Sequence, residues 1–173
     1  VMVVLDANVP PRTMASAIRL ARRYDRPESI DPTSVGLAPR VCPHLSDIHL
    51  LTPNLREASA SVCPEGDGLD VQRVAMRLVS MGVEIAVITL AEMGLYSATS
   101  DESGRVPALQ RDIVDLTGAG AALTAGAIFG LLNDFTVGEA MRLGVSAAAL
   151  TIQCPETVCP DLSLDRLYDE LVI

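Results

Sequence analysis

The chain has 173 residues and a formal net charge of −9, and 49% of its residues are hydrophobic while only 3% are aromatic. This length allows one domain with a sizeable core, and the acidic balance disfavours nucleic acid and anionic membranes as partners, because both attract basic surfaces. The acidic charge does not exclude a small phosphorylated ligand, since such a ligand needs only a local anion site such as a helix N-terminus.

The first part of the chain predicts alternating strands and helices. The apolar run at 1–5 indicates a strand buried on both faces of a parallel sheet, and the apolar positions of 13–24 share one helical face. After a short segment at 30–32, a second apolar strand is predicted at 48–52, so that strand, helix and strand imply a βαβ unit. The glycines at 66–68 mark a loop.

The second part predicts further helices and strands. The predicted elements are, in order, an amphipathic helix over 71–78 that Gly82 ends, strands at 85–90 and 95–99, an exposed turn at 100–105, a Gly-rich loop at 115–120, helices at 121–132 and 136–152, and a last helix N-capped by Ser163. The alternation predicts a doubly wound, mostly parallel α/β sheet with helices on both faces. A dinucleotide fold is disfavoured, because the first strand leads into Asp6 and not into GxGxxG.

The cysteines and histidines give no metal motif. Cysteines stand at Cys42, Cys63, Cys154 and Cys159, without a CxxC pair, and the histidines are His44 and His49. Structural zinc usually has tighter paired spacing, so we interpret the thiols as reduced and unpaired and the histidines as structural. Together with the lack of a basic leader and of a run of about 20 apolar residues, this predicts an intracellular protein, cytoplasmic or organellar, that contacts no membrane.

The segment DLTGAGAALTAG at 115–126 is the most informative part of the sequence. Gly118 and Gly120 allow backbone N–H groups to approach a ligand closely, and the following helix points its positive end at the same place. This predicts an oxyanion or phosphate cradle. Taken alone, the same pattern is equally typical of tight helix packing.

This segment resembles the DxTGAGDxFxAG signature of the ribokinase-like (PfkB) sugar and nucleoside kinases. The resemblance implies an anion hole formed by the turn Gly118, Ala119 and Gly120, with Asp115 and Thr117 in the nucleotide site. Two positions differ: the family's Phe is Leu123, and its catalytic Asp is Ala121. Alanine cannot accept a proton, and losing a general base costs roughly 10² to 10⁴ in rate.

Two upstream segments resemble the same family in the required order. TPNLRE at 52–57 resembles TPNxxE, which implies that Asn54 and Glu57 organise magnesium and its waters, although a capping Asn and a first-turn Glu also explain them structurally. VITLAEMG at 87–94 resembles VTLGxxG, which implies that Thr89 and Gly94 line the nucleotide pocket. The family's first Gly is here Ala91, which would cost of order 1 kcal/mol if that position needs a positive φ.

Finer features resemble pseudouridine kinases more than ribokinases or fructokinases. These are DPTS at 31–34, the LTAG ending of the Gly-rich helix and ETVCP at 156–160. The resemblance implies ATP and Mg²⁺ as cofactors, with a monovalent cation as a further candidate, and a small sugar or nucleoside as substrate. Because family members are longer at the N-terminus, we interpret 1–173 as their C-terminal nucleotide-binding part, which would form a homo-oligomer or pair with the missing portion and its lid.

Three readings follow from these residues. The first is a kinase by ancestry, impaired by Ala121 and by the missing N-terminal portion. The second is a non-catalytic module that binds nucleotide or serves as a structural partner. The third is an unrelated α/β domain that matches by chance, which three motifs in the family's order disfavour.

Overall fold

The computed structural model describes residues 1–62 and 70–171, and the loop predicted at 66–68 lies outside them. The strands are β1 (Val3–Asp6), β2 (Glu28–Asp31), β3 (Leu50–Leu51), β4 (Ile85–Thr89), β5 (Leu95–Ala98) and β6 (Ser103–Val106). The helices are α1 (Pro11–Arg23), α2 (Leu55–Ser61), α3 (Val71–Ser80), α4 (Ala119–Leu132), α5 (Val137–Thr151) and α6 (Leu164–Asp169). Short 3₁₀ helices cover Ala38–Arg40, Cys42–Asp47 and Ala91–Met93.

The strands form one sheet in the order β1-β2-β3-β4-β5-β6, and the first four are parallel. The segments 90–94 and 99–102 join β4 to β5 and β5 to β6, and both are too short for a parallel crossover, which needs about a dozen residues. The last two pairings are therefore antiparallel. The predicted α/β class with a mostly parallel sheet is confirmed.

The chain divides into two compact units: Val1–Leu90 with Tyr96–Arg105, and Ala91–Leu95 with Val106–Ile173. In the first unit, buried strand residues such as Ile30 and Ile88 share one core with Met14 of α1 and Leu78 of α3. This core confirms the amphipathic helices predicted there. Gly82 follows α3 with φ +106°, as expected of a glycine that ends a helix.

In the second unit, α4 and α5 pack closely because glycines face backbone across the interface. A Cβ atom at Gly126 would lie 2.8 Å from the Leu143 carbonyl oxygen, and one at Gly144 would lie 2.7 Å from the Leu123 carbonyl oxygen.

The predicted last helix is also present, since the hydroxyl of Ser163 accepts a hydrogen bond from the Arg166 amide at the start of α6.

Several predicted boundaries were wrong. The first strand is an edge strand that leaves Val4 56% exposed, so it is not buried on both faces. The strand predicted at 48–52 is only Leu50–Leu51, and the turn predicted at 100–105 ends before β6 at Ser103. The helix predicted to begin at Ala121 begins at Ala119, because Gly118 takes a left-handed conformation and becomes the N-cap.

Candidate functional site

The glycine turn begins α4 and leaves two of its amides available. Gly118 has φ +88° and ψ −12°, and Ala119, Gly120 and Ala121 form the first turn of this 14-residue helix. Gly120 and Ala121 are exposed, and their amides donate to no backbone carbonyl among the described residues. First-turn amides have no partner within a helix, and the helix dipole adds positive potential there. The turn therefore has the donor arrangement of an anion cradle.

Neighbouring backbone fixes the conformation of this turn. A Cβ atom at Gly118 would overlap the carbonyl oxygen of Thr157, so a side chain there is excluded by contact as well as by the positive φ. Immediately upstream, the carbonyl of Ile152 accepts hydrogen bonds from the amides of Val114 at 2.8 Å and Asp115 at 3.2 Å. The segment 114–118 is therefore in contact with Ile152 at its start and with Thr157 at its end.

Asp115 lies at the entrance of the turn as an ionised carboxylate. Its Oδ1 accepts a hydrogen bond from the Thr117 amide at 2.8 Å. This backbone hydrogen bond, followed by one from the Thr117 side chain, lowers the pKa of Asp115 below its ordinary value. A negative charge beside an anion cradle suits a site that also receives a cation.

Gly94 and Ala91 lie in the same unit and both have positive φ. Gly94 has φ +88°, and a Cβ atom there would overlap the carbonyl oxygen of Val106. Ala91 has φ +52°, so the position at which the family has glycine does take the left-handed conformation. Alanine has a conformational cost there of about 1 kcal/mol.

Asn54, Glu57 and Thr89 come together in the first unit, where β3 and β4 end. Asn54 N-caps α2: its Oδ1 accepts from the amides of Arg56 and Glu57, both at 3.0 Å, and Glu57 Oε2 accepts from the Asn54 amide at 2.9 Å. A parallel bridge joins Asn54 to Thr89, whose amide donates to the Pro53 carbonyl at 2.9 Å. The capping role read from the sequence is therefore present in full.

The oxygen atoms of Glu57 and Asn54 determine what this corner could hold. Glu57 is 8% exposed, and its second carboxylate oxygen makes no hydrogen bond among the described residues. Oxygen donors suit Mg²⁺, which usually keeps several waters and takes one or two carboxylates. No group of three or more His, Cys, Asp or Glu in 1–62 and 70–171 could hold a metal ion. The side-chain oxygens of this corner are thus one carboxylate and one amide, donors of the type that suits Mg²⁺.

Asp6 and Asp31 end β1 and β2 at this same edge of the sheet. No role at a site was predicted for either, although Asp31 begins the DPTS segment at 31–34. Asp6 Oδ1 accepts from the Asn8 amide at 2.8 Å, and Asp31 Oδ1 accepts from the Thr33 amide at 2.7 Å. Burial raises the pKa of Asp31, and the charge of Asp6 raises it further. Asp6 directly after the apolar run at 1–5 was the available signal, because the carboxyl ends of parallel strands share one edge.

The cysteine prediction needs a correction. Cys154 and Cys159 were expected as reduced thiols, but the structure joins them in a disulfide, because the loop between them turns back on itself. This removes the argument for a reducing compartment as far as it rested on these two residues. Cys42 donates to the Ser61 carbonyl at 2.9 Å, and Cys63 lies outside the described residues.

His49 lies at the ends of β3 and β4 opposite to Asn54, Glu57 and Thr89, and His44 lies in the 3₁₀ helix Cys42–Asp47. His49 Nδ1 lies 2.7 Å from a carboxylate oxygen of Glu84, near the amino ends of β3 and β4.

Over the described part of the chain, none of the helices has the length and apolar character that a membrane span requires.

Comparison with known proteins gives consistent similarities. The profile of the pfkB family of carbohydrate kinases matches residues 2–162. The chain is 28% identical over 166 residues to the pseudouridine kinase of Escherichia coli (strain K12), which covers 94% of this chain and 52% of that protein. The chain therefore spans about half the length of the relative it matches.

Solved structures resemble the fold over nearly the whole chain. A carbohydrate kinase from Agrobacterium tumefaciens superposes with a TM-score of 0.81 at 28% identity, covering 98% of this chain and 53% of that one. Arabidopsis thaliana ribokinase complexed with ribose and ATP superposes with a TM-score of 0.80 at 20% identity, covering 98% and 55%. At that lower identity the likeness concerns the fold alone.

Proposed function

Since the chain belongs to the pfkB family of carbohydrate kinases, we propose that it carries the nucleotide-binding part of an ATP-dependent kinase for a small sugar or nucleoside. The observation that carries this proposal is the glycine turn, which presents the amides of Gly120 and Ala121 at the positive end of α4. Such a turn binds phosphate without a basic surface, which the acidic chain lacks. A pseudouridine-like nucleoside is the proposed substrate, in line with the sequence features at 31–34 and 156–160.

The residues present fit the cations that such a kinase uses. Asn54 and Glu57 would hold waters of Mg²⁺, and the ionised Asp115 would attract a monovalent cation beside the turn. When bound, the magnesium ion would neutralise charge on the ATP phosphates. The chain's own contribution is to fix these oxygens in place, Glu57 through the α2 capping box and Asp115 through the Thr117 amide.

The turn and Ala121 have opposite effects on phosphoryl transfer. The amides of the turn would stabilise negative charge on the transferred phosphoryl group, which is an electrostatic contribution. Ala121, third in α4, has no group to take the proton of the attacking hydroxyl. We therefore propose binding of nucleotide with strongly reduced turnover, lower by roughly 10² to 10⁴ than with a general base.

A second candidate function is a non-catalytic nucleotide-binding or structural partner module. Ala121 favours it, and so does the exposed edge of the sheet, where Val4 of β1 is 56% exposed. An apolar edge strand is a template for pairing with another strand. This candidate predicts association through β1, with a second copy or with a separate N-terminal portion, and no turnover with any sugar.

Calorimetric titration with ATP, with and without Mg²⁺, tests the nucleotide site. Gly118→Ala should abolish binding, because its Cβ overlaps Thr157, whereas Gly138→Ala in α5 meets no atom within 4 Å and should bind as the unchanged chain does. Turnover assays with pseudouridine, ribose and fructose then separate the two candidates. A chain that binds no ATP, or binds it equally well with alanine at 118, would contradict the proposed site.

A further inference from the structure

The disulfide closes an exposed loop between α5 and α6. Cys154 follows α5, where its amide donates to the Thr151 carbonyl at 3.0 Å, and the Cys159 carbonyl accepts from the Leu162 amide at 3.2 Å. Cys159 is 3% exposed, so this end of the loop is anchored in packed structure, whereas Val158 beside it is 78% exposed. The disulfide thus joins the two ends of an exposed loop, and both ends are held by backbone hydrogen bonds.

This loop contacts the glycine turn at Gly118, and the residues just before the loop contact the segment that leads into the turn. Before the loop, the Ile152 carbonyl accepts from the amides of Val114 and Asp115. Within the loop, the Thr157 backbone lies where a Cβ atom of Gly118 would be. Because Gly118 is the N-cap of α4, the position of Thr157 bears directly on the amides that follow it.

Apart from the disulfide, the tip of the loop has few restraints. The amides of Glu156, Thr157 and Val158 donate no hydrogen bond to any described residue, and Pro155 has no amide to donate. Closing a ring of chain removes conformational freedom that the open segment would have. The covalent bond is therefore the main restraint that keeps Thr157 against Gly118.

We propose that the Cys154–Cys159 disulfide is a reversible redox switch on phosphate binding at the glycine turn. In the oxidised chain the loop holds the turn in its binding geometry. In the reduced chain the loop moves away from Gly118, and the first amides of α4 lose their fixed orientation. This inference rests on the proposed function, because it assigns a regulator to the same phosphate cradle.

A dithiol reduces the disulfide in two exchange steps. A thiolate of the dithiol attacks the sulfur of the half-buried Cys154, and Cys159 leaves as a thiolate that takes a proton from water. The second thiol of the reductant then attacks the mixed disulfide, releases the Cys154 thiol and forms the reductant's own disulfide. The protein gains two electrons and two protons, and a disulfide oxidant reverses the exchange.

The test compares the oxidised and the reduced full chain. Dithiothreitol in its oxidised or reduced form sets the state, and alkylation followed by mass spectrometry counts the thiols at Cys154 and Cys159. Calorimetry with ATP and Mg²⁺ should then show affinity lower by roughly three- to tenfold in the reduced chain. In that chain the loop must become ordered when ATP binds, and the lost conformational entropy reduces the binding free energy. Hydrogen exchange of the amides at 119–122 should be faster in the reduced chain.

Variants separate this disulfide from other thiol effects. The double variant Cys154→Ser with Cys159→Ser should bind as the reduced chain does in both redox states. Cys42→Ser should keep the full redox response, because Cys42 lies in the other compact unit. Should the double variant fail to fold, the reduced unchanged chain still provides the comparison.

Three outcomes would overturn the inference. Alkylation of both cysteines under oxidising conditions would show that the bond does not form. Equal affinity and equal exchange in the two redox states would remove the switch alone and leave the proposed function standing. Failure of both forms to bind ATP would remove the proposed function, and this inference with it.

Discussion

Asn54 and Glu57 hold each other across the first turn of α2: each side chain accepts a hydrogen bond from the other's backbone amide, at 3.0 and 2.9 Å. The reciprocal bonds fix the side chains before any cation arrives. A structural role and a proposed role near magnesium therefore fall on the same atoms, and a variant is needed that separates them.

Glu57→Gln makes this separation. Glutamine can still accept at the capping-box position, so unfolding free energy should change little, while the loss of charge should reduce the Mg²⁺ dependence of ATP affinity. Glu139→Gln is the matched control, because Glu139 occupies an equivalent capping box at the start of α5. If both variants leave the Mg²⁺ dependence intact, Glu57 has only the capping role.

Ala91→Gly should stabilise the chain by about 1 kcal/mol, because glycine adopts the φ of +52° without the penalty that alanine incurs. Urea unfolding measures the difference. The control is Ala125→Gly at an exposed position inside α4, which should destabilise by about 1 kcal/mol, since glycine is a poor residue in a helix interior. Changes of the same sign would show that Ala91 is not strained.

Asp31→Asn should stabilise the chain at neutral pH. Burial raises the pKa of Asp31, so its ionised form is penalised in the folded state and not in the unfolded chain. As the pH falls through the raised folded pKa toward the ordinary value of 3.8, the unchanged chain regains this stability and the advantage of the asparagine variant disappears.

Asp115→Asn is the control of opposite sign. The pKa of Asp115 is lowered by the Thr117 hydrogen bonds, so its charge contributes stability above the ordinary value of 3.8, and this is lost as the pH falls through the folded pKa. The variant should therefore destabilise at neutral pH and converge with the unchanged chain in acid. Urea unfolding at several pH values checks both signs, and parallel curves for the two variants would contradict them.

Val4→Lys should reduce self-association if the edge of the sheet is a pairing surface. Val4 is 56% exposed on β1, and a lysine on an edge strand opposes strand addition. Val35→Lys is the control, because Val35 is also exposed, at 48%, but lies outside the strands. Sedimentation velocity measures the distribution of monomer and oligomer, and a chain that is monomeric without any change would remove the case for self-pairing through β1.

The sequence predicted those parts of the fold that depend on local patterns. The apolar periodicity of α3 and the capping residue Asn54 act over one or two helical turns, so their structures followed from the residues themselves. The edge position of β1 and the pairing of Cys154 with Cys159 depend on what the folded chain places beside them. No local pattern contains that information, and both predictions were wrong for this reason.

In the candidate site, too, the features set by local sequence were predicted, and those set by the folded chain were not. The resemblance pointed to the turn at Gly118 and raised a positive φ at Ala91 only as a condition, which the structure meets with φ +52°. The location of Asp6 beside Asp31 was missed, because it depends on the parallel pairing of two strands 25 residues apart. The proposed roles of Asn54, Glu57 and Gly118 stay predictions, which the ATP titrations of Glu57→Gln and Gly118→Ala test.

The last prediction concerns Ala121, the third residue of α4. An aspartate in the first turn of a helix interacts favourably with the dipole, so Ala121→Asp should raise stability by about 0.3–1 kcal/mol, measured by urea unfolding. The same charge close to bound phosphates should weaken ATP binding, because like charges repel. Ala125→Asp, beyond the first turn of the same helix, should give neither effect.

Turnover is the decisive measurement for this position. If a sugar-binding N-terminal portion is supplied, Ala121→Asp should raise phosphorylation of pseudouridine or a related riboside by roughly 10² to 10⁴, the usual contribution of a general base. In the 173-residue chain alone the gain should be small, because substrate positioning also contributes heavily to the rate. Full activity of the unchanged chain would show that the base lies elsewhere, and an inactive Asp variant in the extended protein would direct attention to Ala91 as a second lesion.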